Sequence, residues 1–184
     1  FRGKTDAVLS PTFNALLAFP QLVLALLLVS VFANGAEDSV AKRIVVLMAA
    51  LGIIAIPLLA RITRANTLAW ADRDFVMAAR AMGAKPWRVL FRDVLPNVVP
   101  AMMAITLLAI GVAIVAEAGL AFLGLGVKLP TPSWGNILAA GKPELRRVPM
   151  MVIAPTIFIF FTVMSLNFLG DVIQKRFNVR ESLL

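Results

Sequence analysis

The sequence predicts an all-α fold, a polytopic bundle of membrane-spanning helices, and three observations carry that expectation. Of its 184 residues, 60% are hydrophobic, with a mean hydropathy of +0.90; a soluble domain is nearer ~45–50% apolar. Four apolar runs, about 13–33, 40–60, 98–118 and 148–170, are each long enough to cross a hydrocarbon core of ~30 Å at 1.5 Å per helical residue. The basic residues are also unevenly shared. With the N-terminus inside, the inner segments hold 12 of the 18 Lys and Arg side chains and the outer loops with their flanks hold 6. Such a bias places both ends of the chain, and the segment 61–97, in the cytoplasm. The whole of 1–184 reads as one transmembrane domain.

Composition also excludes. There is no Cys, so no disulfide and no thiolate metal site. There is no His, the commonest general base and metal ligand. No G-x-x-x-x-G-K-[ST], G-x-S-x-G or H-E-x-x-H occurs, so the chain carries no P-loop, nucleophile elbow or zincin helix. Asp72 and Asp74 are a close carboxylate pair, but in a basic loop they read as helix-capping groups rather than an acid–base pair. The net charge of +8 is read as cytoplasmic loops facing anionic headgroups, not as a nucleic-acid surface. The expectation is a membrane protein that is not an enzyme, with no metal and no cofactor of its own.

Taken in order, Phe13–Ala33 gives 21 residues without a charge, interrupted by Pro20. A kink tolerated by neighbouring helices is one reading; a bend lining a pathway, with Asn14 and Gln21 beside it, is the other. Asn34-Gly35 signals a turn, and Glu37 and Asp38 make the loop acidic. Val40–Ala60 is the second span, with Lys42 and Arg43 near its start, where they can snorkel to the headgroups. Val98–Ala116 is the third. Ala109, Ala113 and Glu117 follow there at four-residue steps, a spacing that lets helices approach closely in lipid. Glu117 is a carboxylate at the outer end of that span, readable as an interface group or as a gating or substrate contact. Segment 119–147 is apolar yet rich in Gly and Pro, so it reads as a re-entrant or surface-hugging piece packed on protein. Gly124-Leu-Gly126 in it is no dinucleotide fingerprint, since the third glycine is missing. Val148–Gly170 is the last span, interrupted by Pro155 and Asn167, and Asp171–Leu184 is a charged tail.

Between the second and third spans lies the longest amphipathic stretch, Asp74–Pro96. Its spacing predicts two short helices meeting at an elbow. The first runs from Asp74 to Met82, with Asp72 as N-cap. Gly83 sits where a left-handed, helix-ending residue is wanted. Pro86 suits the first turn of the second helix. Trp87, Leu90, Phe91 and Val94 then fall on one face at i, i+3, i+4 and i+7, which predicts that this face packs on the membrane portion and that Leu95-Pro96 ends the helix.

Those residues carry a resemblance. Ala78-Ala79, three residues, Gly83, eleven residues and Leu95-Pro96 resemble the cytoplasmic "EAA" loop of ABC-importer permease subunits. The family's signature glutamate falls at Met77 here. FLGLGV at 122–127 and PTPSWG at 130–135 resemble the extracytoplasmic segment of the dipeptide, oligopeptide and nickel branch, and Gly170-Asp171 fits its final-helix exit. The resemblance implies a permease subunit in a bacterial or archaeal cytoplasmic membrane. It implies as partners two ATP-binding subunits, a second homologous permease and a solute-binding protein, with ATP bound by the partner subunits. It implies coupling to the ATPase through Ala78, Ala79, Gly83, Ala84 and Pro86, where small residues permit close docking and Gly83 permits the bend. It implies a translocation or gating region at Glu117, Phe122, Gly124, Gly126 and Trp134. Family members carry two further spans before the point where this chain starts, so a longer protein is expected. The cargo is expected to be a peptide, with nickel or a related small solute as the alternative. Two other classes stay open on the residues alone: a secondary transporter or channel, which accounts for spans and interrupted helices, and a membrane scaffold, which accounts for the missing catalytic groups.

Overall fold

The computed structural model describes residues 3–33, 39–127 and 130–178, and all regular structure among them is helical. The expected Asn34-Gly35 turn, the acidic Glu37 and Asp38, and Arg2, Lys128 and Arg180 lie outside the described residues. Three helices are long and apolar enough to cross a membrane, and a fourth crossing is available only if a bent pair counts as one.

That pair is the first expected span. It is two helices, α1 (Lys4–Ala18) and α2 (Gln21–Phe32), set at 92° to each other. The break is local chemistry. Phe19, the residue before Pro20, is extended at φ −78° and ψ 141°, as the proline ring demands of its predecessor. Pro20 then stands at the N-cap of α2, where its missing N–H leaves no bond unmade. A right-angle break therefore replaces the tolerated kink. α1 lies against the inner part of α3, where Arg64 grips Asp6 with both arms, Nε to Oδ1 at 2.6 Å and Nη2 to Oδ2 at 2.7 Å.

α3 (Val40–Ala71) starts at Ser39, whose hydroxyl accepts from the Lys42 N–H at 3.2 Å. It is 32 residues long, roughly 48 Å, and so continues well beyond the apolar run 40–60 into the basic segment expected to be loop. A short helix α4 (Asp74–Ala81) follows, then α5 (Pro86–Arg88), a π-helical segment Val89–Val94, and α6 (Leu95–Phe122). No break occurs at Leu95-Pro96: the chain is one rod of 37 residues from Pro86 to Phe122. α7 (Trp134–Gly141) is a short outer helix, and α8 (Met150–Asn178) is the last crossing.

Long apolar side chains mostly face outward, as Phe158, Phe160, Phe161 and Phe168 do on α8. Helix contacts instead use small residues, as expected where lipid supplies no hydrophobic drive to association. Along α6 the buried small residues are Ala104, Gly111, Ala118 and Ala121. Gly170 of α8 comes so close that a Cβ on it would sit 3.2 Å from the Ala104 carbonyl oxygen. A Cβ on Gly111 would sit 3.2 Å from a methyl of Val163. The four-step series Ala109, Ala113 and Glu117 does not make this contact. It faces away from α8, and Ala109 and Ala113 line an apolar cavity of about 510 Å³ between α2, α3 and α6. Gln21 is the polar side chain in that lining; Asn14 is exposed and not part of it.

Two apolar clusters close the ends of the bundle. The outer one joins Ala25, Val29, Ala33, Leu47, Ala50 and Leu120. The inner one joins Val76, Val89, Val94 and Val98.

Candidate functional site

The inner cluster positions the elbow. Asp74 in the first turn of α4 and Arg80 in its last complement the helix dipole. The N-cap is Arg73, without a side-chain bond, and not Asp72, which instead caps the C-terminus of α3. α4 ends in a full Schellman turn. The Gly83 N–H donates to the Arg80 carbonyl at 2.9 Å and the Ala84 N–H to the Ala79 carbonyl at 3.0 Å. Gly83 holds the required left-handed φ of +82°, a conformation that glycine alone adopts without penalty. The residues closing the turn, Ala79 and Ala84, both pack on the valine cluster. Ala78, Gly83 and Pro86 are exposed. Pro86 opens α5, where its lack of an N–H is harmless. Of the five residues expected to form the coupling surface, three thus face outward and two are the footing beneath them. Arg73 over the Trp70 ring at 5.2 Å, with Trp70 against Phe75 at 6.2 Å, ties the start of α4 to the end of α3.

The apolar face expected on the second elbow helix is corrected by the π-helical segment. In an α-helix Val89 and Val94 would lie about 140° apart. The i→i+5 bonding of the π form brings them onto one side, and both are 3% exposed. Trp87 and Phe91 are displaced from the core by the same change. They stack on each other outside it, ring centroids 5.7 Å apart and planes 16° off parallel, at 62% and 58% exposure.

The outer end is built from α6, the segment after it and α7. α6 also ends in a Schellman turn: Gly124 N–H to the Ala121 carbonyl at 2.9 Å, Leu125 N–H to the Leu120 carbonyl at 2.8 Å, and Gly124 at φ +85°. Here the turn is held from outside. Arg43 is 5% exposed and does not snorkel as expected. Its Nε donates to the Gly126 carbonyl at 2.6 Å, Nη1 to Ala33 at 3.2 Å and Nη2 to Gly124 at 3.4 Å. One guanidinium thus ties the end of α2 to the outer segment. Asn136 adds Nδ2 bonds to the Val127 carbonyl at 2.7 Å and the Thr131 carbonyl at 3.3 Å. Gly126 and Gly135 are close-approach positions: a Cβ on Gly126 would lie 2.6 Å from Ala121 Cα, and one on Gly135 would lie 2.8 Å from Ala118 Cα. Sequence reasoning missed Arg43 and Asn136. A cation at the start of an apolar run looks the same whether it reaches out to headgroups or in to carbonyls.

Glu117 and Trp134 come together at this end, on the wall of a cavity of about 650 Å³ that Ile110, Ile114, Pro132 and Ile137 also line. The Ser133 hydroxyl accepts the Asn136 N–H at 3.1 Å, capping α7, and shares the cavity wall with Glu117. Glu117 Oε1 is buried and has no partner among the described residues. Trp134 stacks on Phe158, centroids 6.5 Å apart and planes 8° off parallel. Phe122 stands apart from this cavity lining and carries Lys142 over its ring at 4.8 Å. Gly124 and Gly126 are the anchor points of Arg43, behind the cavity rather than in it. Among the described residues no three metal-ligating side chains gather.

A multi-pass helical bundle with a shaped inner elbow and an outer cavity at the two ends of one rod is the architecture of a membrane transport component. The family described as "binding-protein-dependent transport system inner membrane component" matches residues 1–182, and the chain belongs to that family. It is similar to glutathione transport system permease proteins of Pectobacterium atrosepticum, Shigella dysenteriae serotype 1 and Escherichia coli O157:H7. Each is 34% identical over 171 residues, which cover 93% of this chain and 54% of the relative. The chain thus spans about half the length of the curated relatives it matches.

Proposed function

We propose that this chain is the membrane-spanning part of a permease subunit in an ATP-driven importer of peptide-like solutes. The observation that carries the reading is the elbow. A glycine turn presents Ala78, Gly83 and Pro86 to the cytoplasm while Ala79 and Ala84 seat it on valines of α4, the π-helical segment and α6. A small, rigidly footed projection suits docking into a groove on an ATP-binding subunit. The partners in this reading are two such subunits, a second homologous permease and a solute-binding protein. ATP is bound by the partners, and both ends of the chain are cytoplasmic. Glu117 and Trp134 line the outer mouth, with Phe122, Gly124 and Gly126 beside and behind it. The peptide-like cargo is supported by the relatives, whose names give glutathione; nickel is the alternative within the branch.

Transport requires only that nucleotide state and permease conformation be coupled in free energy. Cysteine at Ala78, in a chain that has none, tests the coupling. Paired with cysteines along the groove of the co-expressed ATP-binding subunit, it is expected to cross-link in a nucleotide-dependent way. A second reading has one feature in its favour: the 92° break at Pro20 beside an apolar cavity is of the kind secondary transporters use. A missing cross-link together with ATP-independent flux would favour it.

A further inference from the structure

The outer cavity holds a carboxyl group that no basic side chain among the described residues of its walls answers. Ile110, Ile114, Pro132 and Ile137 make it apolar, and among the described residues Glu117 is the one ionisable group that lines it. Ser133, in the same wall, takes the Asn136 N–H on its oxygen and has a single O–H to offer. Glu117 Oε1 has no partner among the described residues. A buried acceptor without a donor is a standing penalty, and a lone carboxylate in an apolar wall repels any anion brought beside it. What relieves both is a cation that brings its own N–H donors. The indole of Trp134 stands in the same wall, held in place by its stacking on Phe158, and an aromatic face attracts a cation further.

We propose that this cavity takes a primary ammonium group carried on an apolar body, the free amino end of the cargo, with Glu117 as its counter-ion and Trp134 as its wall. The carboxyl turns toward the cavity to accept the ammonium N–H groups, and the apolar body lies along Ile110, Ile114 and Ile137. The proposal rests on the reading that the chain passes a peptide-like solute, and it adds which end of that solute meets this subunit.

The test uses the full chain in lipid nanodiscs and two probes that differ in one charge. Phenylalaninamide carries an ammonium and an aromatic body; N-acetylphenylalaninamide has the same body and no charge. By titration calorimetry the wild-type chain is expected to bind the first at least about tenfold more tightly, the worth of one charge-assisted hydrogen bond. Glu117→Gln keeps the shape, removes the charge and is expected to abolish the preference. Ser133→Ala keeps the charge and is expected to retain it. Should Glu117→Gln fail to insert, the probe pair on the wild-type chain still decides. Binding of neither probe, equal binding of both, or an undiminished preference in Glu117→Gln would each overturn the proposal. No step of this test involves ATP. Ammonium preference without nucleotide-driven uptake would sink the importer reading and keep the site, whereas driven uptake without the preference would do the reverse.

Discussion

Gly83 and Gly124 end their helices with the same turn, at φ +82° and +85°, closed by the same pair of backbone bonds and by a hydrophobic pair resting on a core cluster. The pair at the inner turn is Ala79 with Ala84, and at the outer turn Leu120 with Leu125. The surroundings differ. The outer turn is bound across the fold by Arg43, from a residue more than 80 positions away in sequence, and leucines fill its footing. The inner turn rests on small side chains and keeps its tip exposed. Identical backbone chemistry thus yields a fixed wall at one end and an exposed projection at the other. Side chains outside the turn make the difference.

The comparison can be broken most forcefully at Arg43. Arg43→Met keeps the stem and removes the donors from three carbonyls. It is expected to destabilise the fold by about 3 kcal/mol, read from unfolding in detergent, while labelling of a cysteine at Ala78 stays unchanged. A change at Ala78 would mean that the two ends are not held independently. Next is Gly135→Ala, whose Cβ would press on Ala118 Cα at 2.8 Å; a loss of roughly 1–3 kcal/mol is expected, with α7 displaced. Gly83→Ala and Gly124→Ala sharpen the comparison. Neither added Cβ meets an atom within 4 Å, so each should lose only the left-handed strain of about 1–2 kcal/mol. Equal losses support a shared turn design, while a far larger loss at Gly124 would show that Arg43 had made its geometry rigid. Asp6→Asn is expected to have the smallest effect. Its pair with Arg64 is exposed and screened by salt, so the difference from wild type should shrink further as ionic strength rises.

Much of the inner site was legible because it is local. Gly83 and Pro86 follow from turn chemistry and helix-end preferences read over a few neighbouring residues, whereas α4 starts at Asp74 without the Asp72 cap expected there. The face of the second elbow helix was not legible. A period of 3.6 was applied to Trp87, Leu90, Phe91 and Val94, and a π-helical segment moved the buried face to Val89 and Val94. Nothing in six residues of VLFRDV announces a wider turn. Pro20 could be seen as an interruption, but sequence cannot say whether neighbours will straighten it or let it break through 92°. At the outer end, Glu117 and Trp134 stood out singly. That they share a cavity wall with Ser133, and that Arg43 turns inward, depends on contacts between elements far apart in sequence.

The unbroken rod from Pro86 to Phe122 has a mechanical meaning. Near its midpoint Gly170 of α8 closes on Ala104, 18 residues from either end, roughly 27 Å along a helix in each direction. A beam supported at its midpoint is a balanced lever. A tilt of about five degrees about that point would carry each tip through roughly 2 Å in opposite senses, and Glu117, 13 residues from Ala104, through roughly 1.7 Å.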